Sequence, residues 1–214
     1  MTSLYPINLD IENKKVSIIG GGEVALRKVK TLLSFKAKVY VVSPKVIPAF
    51  EDLAGKGEVI LHREKYNKGF LRESFLVIGA TDDPQVNRIV ARDAEEENIP
   101  VNIVDDLELC TFLVPAVVKR GPLTISISTG GESPGMSAKI RRDLEKIYGK
   151  EYGLFLEYLG KVRKKLIKEI PDPEKRRELI IKLSDPSLVS LIEGEDLSRL
   201  EDKCREIIKD YLEK

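Results

Sequence analysis

Tryptophan is absent from the 214-residue chain, which carries only two cysteines and one histidine. Cys110 and Cys204 stand far apart with no CxxC spacing, so neither a disulfide framework nor a thiolate zinc site organises the fold. That usage fits a reducing, cytoplasmic setting. His62 stands alone after an apolar run, so no His/Cys cluster offers a metal site and no metal ligand is expected. No apolar run approaches the ~20 residues that cross a bilayer. The opening stretch, MTSLYPINLDIENKK, lacks the basic-then-apolar order of a secretion signal, so no membrane attachment is expected. A net charge of +1 shows no excess of either sign, which argues against a nucleic-acid partner. What is present is 42% hydrophobic residues, enough to build a core, and 33% charged residues, enough with the missing Trp to point to a heat-adapted source.

The patterning changes near residue 113. Before it, short apolar runs alternate with helical stretches. Strands are expected at 16–19, at 39–42, in EVILH, in FLVIGA up to Ala80, and in IPVNIVDD. Helices are expected after the first glycines, over 48–54, and from Pro84 onward. This alternation predicts an α/β fold with a doubly wound parallel sheet. After it, two β-rich runs, 116–118 and 123–128, flank the turn KRGP and predict an antiparallel hairpin. Ser133 and Pro134 then open a helix as its cap and first residue, and from Glu151 the chain reads as helical throughout. The expected divisions are 1–113, 114–150 and 151–214.

The stretch VSIIGGGEVALRKVKTLL carries a strand through three glycines into a helix. Such a turn aims backbone N–H groups and the positive helix end at an anion. Gly20 allows the tight bend, Gly22 lets a pyrophosphate approach, and Ala25 stands where a small third residue is needed. The alternative is a tight turn without a ligand. The second strand ends at Ser43, where an NAD-binding fold usually places an acid. Ser43 can bond a ribose hydroxyl, Pro44 and Lys45 can line the adenosine, and no carboxylate repels the phosphate of NADP. The expected cofactor is NAD, with NADP left open, and the expected contacts are Gly20, Gly22, Glu23, Val24, Ser43, Pro44, Lys45 and Thr81. At the end of the fifth strand stand Asn102, Asp105 and Asp106. A carboxylate there suits a general base, and capping of a loop is the equal alternative. Asp82 and Asp83 read as caps of the helix at Pro84. The segment STGGESPG, with Gly130 and Gly131, makes a helix entrance suited to anions, and Arg120, Lys139, Arg141 and Arg142 supply cations nearby. Half of these basic residues are expected to be solvated faces.

Together GGGEVALRK, GATDDPQVN, VNIVDD and TFLVPAVVKRGPLTISISTGGESPGMSAKIRRDLE resemble the precorrin-2 dehydrogenase family, which includes the N-terminal module of siroheme synthase. The resemblance runs over 4–145 in order and spacing. It implies a Rossmann domain, a dimerisation region and a C-terminal helical domain, assembled as an intertwined homodimer of the stand-alone type. It implies NAD-dependent oxidation of precorrin-2 to sirohydrochlorin, with ferrous iron insertion in some members. It moves Asp105 to the catalytic role and places Ser128 and Thr129 near the substrate. With Asn102, Arg120, Gly130 and Gly131 these form the expected substrate contacts. A bifunctional dehydrogenase and ferrochelatase is one alternative. A non-enzymatic nucleotide-sensing module is another, and Ser43 argues against it because sensors keep an acid there.

Overall fold

The computed structural model describes residues 4–213. The chain divides into two compact units, one up to Val114 and one from Pro115 onward.

The first unit is built on five parallel strands: β1 (Lys15–Ile19), β2 (Lys38–Val42), β3 (Val59–His62), β4 (Leu76–Gly79) and β5 (Val101–Ile103). Their order in the sheet is β3-β2-β1-β4-β5. The chain therefore moves outward from β1 on one side, then returns to β4 and moves outward on the other. The carboxyl ends of β1 and β4 part at that reversal and leave a crevice. Both faces are covered by α1 (Glu23–Ser34), α2 (Pro48–Gly55) and α3 (Pro84–Glu96), which is why the central strands read as unbroken apolar runs. Val16, Ile18, Val41 and Ile78 are buried in this core, each contributing about 1.5–3 kcal/mol by leaving water. Ser17 is the polar exception in β1, and its hydroxyl is satisfied by Ser74 Oγ at 2.7 Å and the Phe70 carbonyl at 3.1 Å.

The second unit opens with an antiparallel hairpin, β6 (Ala116–Arg120) and β7 (Leu123–Ile127), in which Ala116 pairs with Ile127. Four helices follow: α4 (Pro134–Ile147), α5 (Lys150–Glu169), α6 (Pro173–Leu183) and α7 (Ser198–Leu212). Phe155, Leu166, Leu179, Leu183, Leu200 and Cys204 form their core. The hairpin turn lies directly on α5, where a Cβ on Gly153 would come within 3.0 Å of the Arg120 carbonyl. Hairpin and helices share this unit, and α5 starts within it at Lys150.

Most element ends differ from expectation by a residue or two, and the end of β5 by three, for local reasons. β4 stops at Gly79, one residue before Ala80, because Ala80 joins the glycine crossing described below. β5 stops at Ile103 because the chain turns sharply through Asp105. β7 stops at Ile127 because the Ser128 hydroxyl accepts the Gly130 N–H at 3.1 Å and bends the chain.

Candidate functional site

The glycine turn sits at the crevice, and each of its glycines has a different physical reason. The Gly20 N–H donates to the Val42 carbonyl at 3.0 Å, and the Ala80 N–H donates to the Ile19 carbonyl at 2.7 Å. Gly20 itself has φ +132°, and a Cβ there would lie 2.2 Å from the Ala80 carbonyl oxygen. Only glycine allows that crossing. Gly21 is equally constrained: its Cβ would meet the Lys45 carbonyl oxygen at 2.3 Å. The Gly21 carbonyl in turn accepts the Ile47 N–H at 3.0 Å, stitching the turn to the loop after β2. Gly22 is the opposite case. It caps α1 in extended conformation with no side-chain bond to the helix N–H groups, and a Cβ there would meet nothing within 4 Å.

That open position belongs to a cleft of about 1140 Å³ whose lining includes residues 19–24, 42–47, 80–83 and 104–105. Gly20, Gly22, Glu23, Val24, Ser43, Pro44, Lys45 and Thr81 all lie along it. The Ser43 hydroxyl donates to the Lys45 carbonyl at 2.7 Å, so its proton shapes its own loop and its lone pairs are left to accept. Thr81 is locked to Asn87: its hydroxyl donates to Asn87 Oδ1 at 2.8 Å, and the Asn87 amide returns to the Thr81 carbonyl at 3.1 Å. Asp83 caps α3 by accepting the Gln85 N–H at 2.8 Å and the Val86 N–H at 3.3 Å. The far wall, residues 65–68, carries no sequence motif. Its Tyr66 hydroxyl donates to Asp93 Oδ2 at 3.0 Å, and burial, aided by that carboxylate, pushes the phenol above its ordinary range. The cleft thus offers what a dinucleotide needs: a free helix entrance for phosphate, a hydroxyl and backbone corner for ribose, and depth beyond.

The turn after β5 separates the two adjacent aspartates. Val104 donates its N–H to the Gly79 carbonyl at 2.9 Å, and Asp105, with φ +62°, lines the cleft. Asp106 instead precedes the 3₁₀ turn at Leu107–Leu109 and is absent from the lining. Asn102 is buried, and its amide donates to the Phe112 carbonyl at 3.0 Å and to Cys110 Sγ at 3.4 Å. The reason is that β5 is an edge strand, and the chain at 110–112 folds back to satisfy it. Thr111 takes part too, its Oγ1 accepting the Val101 N–H at 2.8 Å.

Lys28, one turn into α1, shares the electrostatic surroundings of Asp105 and Cys110. Burial first, and Arg27 next, lower its ammonium below the ordinary lysine range, against the pull of Asp105. A lysine whose folded pKa is depressed is a liability while charged. The penalty is full below the folded value and disappears above the unfolded value of ~10.5. Lys28→Met is therefore expected to raise the melting temperature at pH 7. The gain should shrink as pH rises toward ~10.5, and a variant less stable than the parent at pH 7 would contradict this.

The other expected contacts lie in the second unit. Gly130 and Gly131 have φ +65° and +91°, the left-handed values that let the loop turn into α4. Thr129 Oγ1 accepts the Ser133 N–H at 3.1 Å, and Ser133 Oγ accepts the Met136 N–H at 3.3 Å, capping that helix. Ser128 is engaged with Gly130 as described. The Arg120 Nε donates to the Tyr148 carbonyl at 3.0 Å and its Nη2 reaches the Glu145 carbonyl at 3.5 Å. The guanidinium thus complements the negative end of α4 and ties it to the hairpin. Arg141 pairs with Glu145 one turn along α4. Arg120→Ala should destabilise the second unit by about 1–3 kcal/mol, read as a lower urea midpoint, with dinucleotide binding in the first unit unchanged.

A parallel sheet ordered 3-2-1-4-5, with its glycine turn at the reversal point, defines a dinucleotide-binding α/β protein. The chain belongs to the family described as "Putative NAD(P)-binding", whose model matches residues 7–116. A second model, "Sirohaem biosynthesis protein central", matches residues 120–147. Among curated proteins, the siroheme synthase of Nitrosomonas europaea is 36% identical over 173 residues, covering 80% of this chain and 36% of that protein. The siroheme synthase of Chromobacterium violaceum is 38% identical over 173 residues, covering 81% and 37%. That of Pseudoalteromonas translucida is 34% identical over 203 residues, covering 95% and 43%. The chain therefore spans well under half the length of these relatives. Among solved structures, SirC, a precorrin-2 dehydrogenase, superposes with a TM-score of 0.75 at 27% identity, covering 99% of this chain and 100% of that one.

Proposed function

We propose that the chain is an NAD-dependent precorrin-2 dehydrogenase, oxidising precorrin-2 to sirohydrochlorin in siroheme or related tetrapyrrole synthesis. The observation that carries this reading is the placement of Asp105 in the same cleft as the open Gly22 entrance. The likeness to SirC, a precorrin-2 dehydrogenase, over the whole of both chains supports the substrate.

NAD, when bound, supplies the hydride acceptor. Gly22 and the first amides of α1 would hold its pyrophosphate and Ser43 would accept from its ribose, and with no carboxylate beside Lys45 the corner would admit NADP as well. Oxidising the macrocycle also releases a proton, and Asp105 Oδ takes it. Ser128, Thr129, Gly130 and Gly131, at the entrance to α4 in the second unit, form a loop suited to a carboxylate. An assay with NAD and precorrin-2 under anaerobic conditions, with and without ferrous ion, tests the oxidation. It also separates any chelation as a later spectral change.

The proposal includes a cytoplasmic homodimer. Among the described residues no helix is long and apolar enough to cross a membrane. Met136, Ile140 and Ile147 lie along α4 with 50%, 37% and 60% of their surface exposed, an apolar edge that a second copy would cover. Sedimentation should give a dimer at micromolar concentration. A stable monomer there would contradict this assembly.

A further inference from the structure

We infer that Cys110 is a positioning residue for Asp105: its thiol sits at the centre of the turn after β5 and holds the left-handed backbone that carries the carboxylate into the cleft. This rests on the role proposed above for Asp105. A non-glycine residue at φ +62° persists only where its surroundings over-determine it. The flanking peptide groups show what does so here. Two residues before Asp105, the Ile103 N–H donates to Cys110 Sγ at 3.2 Å. One residue after it, the Asp106 carbonyl lies 3.1 Å from the same sulfur, and the Ile103 carbonyl lies 3.2 Å from it. The single S–H proton serves one of these carbonyls at a time. The Asn102 amide, donating at 3.4 Å, holds the sulfur from the strand side.

The direct backbone link across the turn, from the Asp106 N–H to the Ile103 carbonyl, is long at 3.4 Å. The Val104 N–H bond to the Gly79 carbonyl at 2.9 Å ties the turn to β4, and the sulfur closes it on the side of residues 103 and 106. A thiol suits this place because its long bonds and diffuse lone pairs reach several partners at 3.1–3.4 Å. Burial keeps it protonated and so able to donate. A serine hydroxyl keeps both the donor and the acceptor but reaches less far, so it should restore part of the arrangement. Alanine removes every contact.

The test uses the full chain with Cys110→Ala, Cys110→Ser, Asp105→Asn and the Cys110→Ala/Asp105→Asn double variant. NADH formation from precorrin-2, NAD affinity and amide exchange over residues 103–110 are measured for each. Cys110→Ala should lower kcat about ten- to a hundredfold, with NAD affinity retained as the sign of an intact fold. Cys110→Ser should recover part of kcat. In the Asp105→Asn background the cysteine change should add little, because both losses act through one carboxylate. Exchange at the Ile103 and Asp106 amides should rise about tenfold in Cys110→Ala. Parental turnover in Cys110→Ala overturns the inference, as does an undiminished loss in the double variant. If Asp105→Asn itself keeps parental turnover, it is the reading of Asp105 as base that fails. The exchange data then decide whether the sulfur holds the turn, and unchanged exchange overturns that as well.

Discussion

Asp105→Asn is expected to lower NADH formation from precorrin-2 by about 10²–10⁴-fold, the usual consequence of losing a general base. NAD affinity should hardly change. Asparagine matches aspartate in size and tolerates the left-handed backbone at φ +62°, so the turn should survive the exchange. What it cannot do is accept the proton released when the macrocycle is oxidised. Asp106→Asn should have a much smaller effect, because Asp106 is absent from the cleft lining. Near-parental turnover in Asp105→Asn would make that residue a structural element of its turn. A dead Asp106→Asn beside it would assign the base to the other aspartate.

Gly22→Asp should abolish measurable NAD binding while leaving the protein folded and slightly more stable. Gly22 is the N-cap of α1 in extended backbone at φ −93° and ψ −173°, with open space around its missing side chain. Aspartate is among the preferred residues at that position, and it gains a few tenths of a kcal/mol over glycine by accepting first-turn N–H groups. The same carboxylate occupies the amides that would meet pyrophosphate and adds a negative charge beside it. Stability and binding therefore move in opposite directions. Calorimetric titration with NAD and a thermal melt measure both. Unchanged NAD affinity would remove the turn from the cofactor site. Gly21→Ala is the contrasting change: with the Lys45 carbonyl 2.3 Å from the added Cβ, it should disturb the fold itself.

The features legible in the sequence are those written locally. The strand, glycine turn and helix over residues 16–33 announce themselves by period and composition. Asp83 and Ser133 announce their helices by sitting before Pro84 and Pro134. The hairpin follows from two β-rich runs around a Gly-Pro turn. What stays hidden depends on partners far along the chain. Gly21 carries a requirement as strict as that of Gly20, but it arises from Lys45 in the loop after β2, and no spacing rule encodes it. Asn102 and Arg120 are polar residues beside plausible binding segments, yet the edge of β5 and the end of α4 occupy them. Residues 65–68 form a wall of the cleft only because the chain passes across it between β3 and β4. Cys110 reads as a solitary thiol until the turn closes around it.

The most direct test of the proposed dehydrogenase is anaerobic incubation of the purified full chain with precorrin-2 and NAD, followed by absorbance of NADH and of the macrocycle together. NADH should appear in step with sirohydrochlorin, one for each macrocycle oxidised, with no metal ion added. Tight binding of NAD without NADH formation in the presence of precorrin-2 would instead leave a dinucleotide-binding protein that is not a dehydrogenase of this substrate.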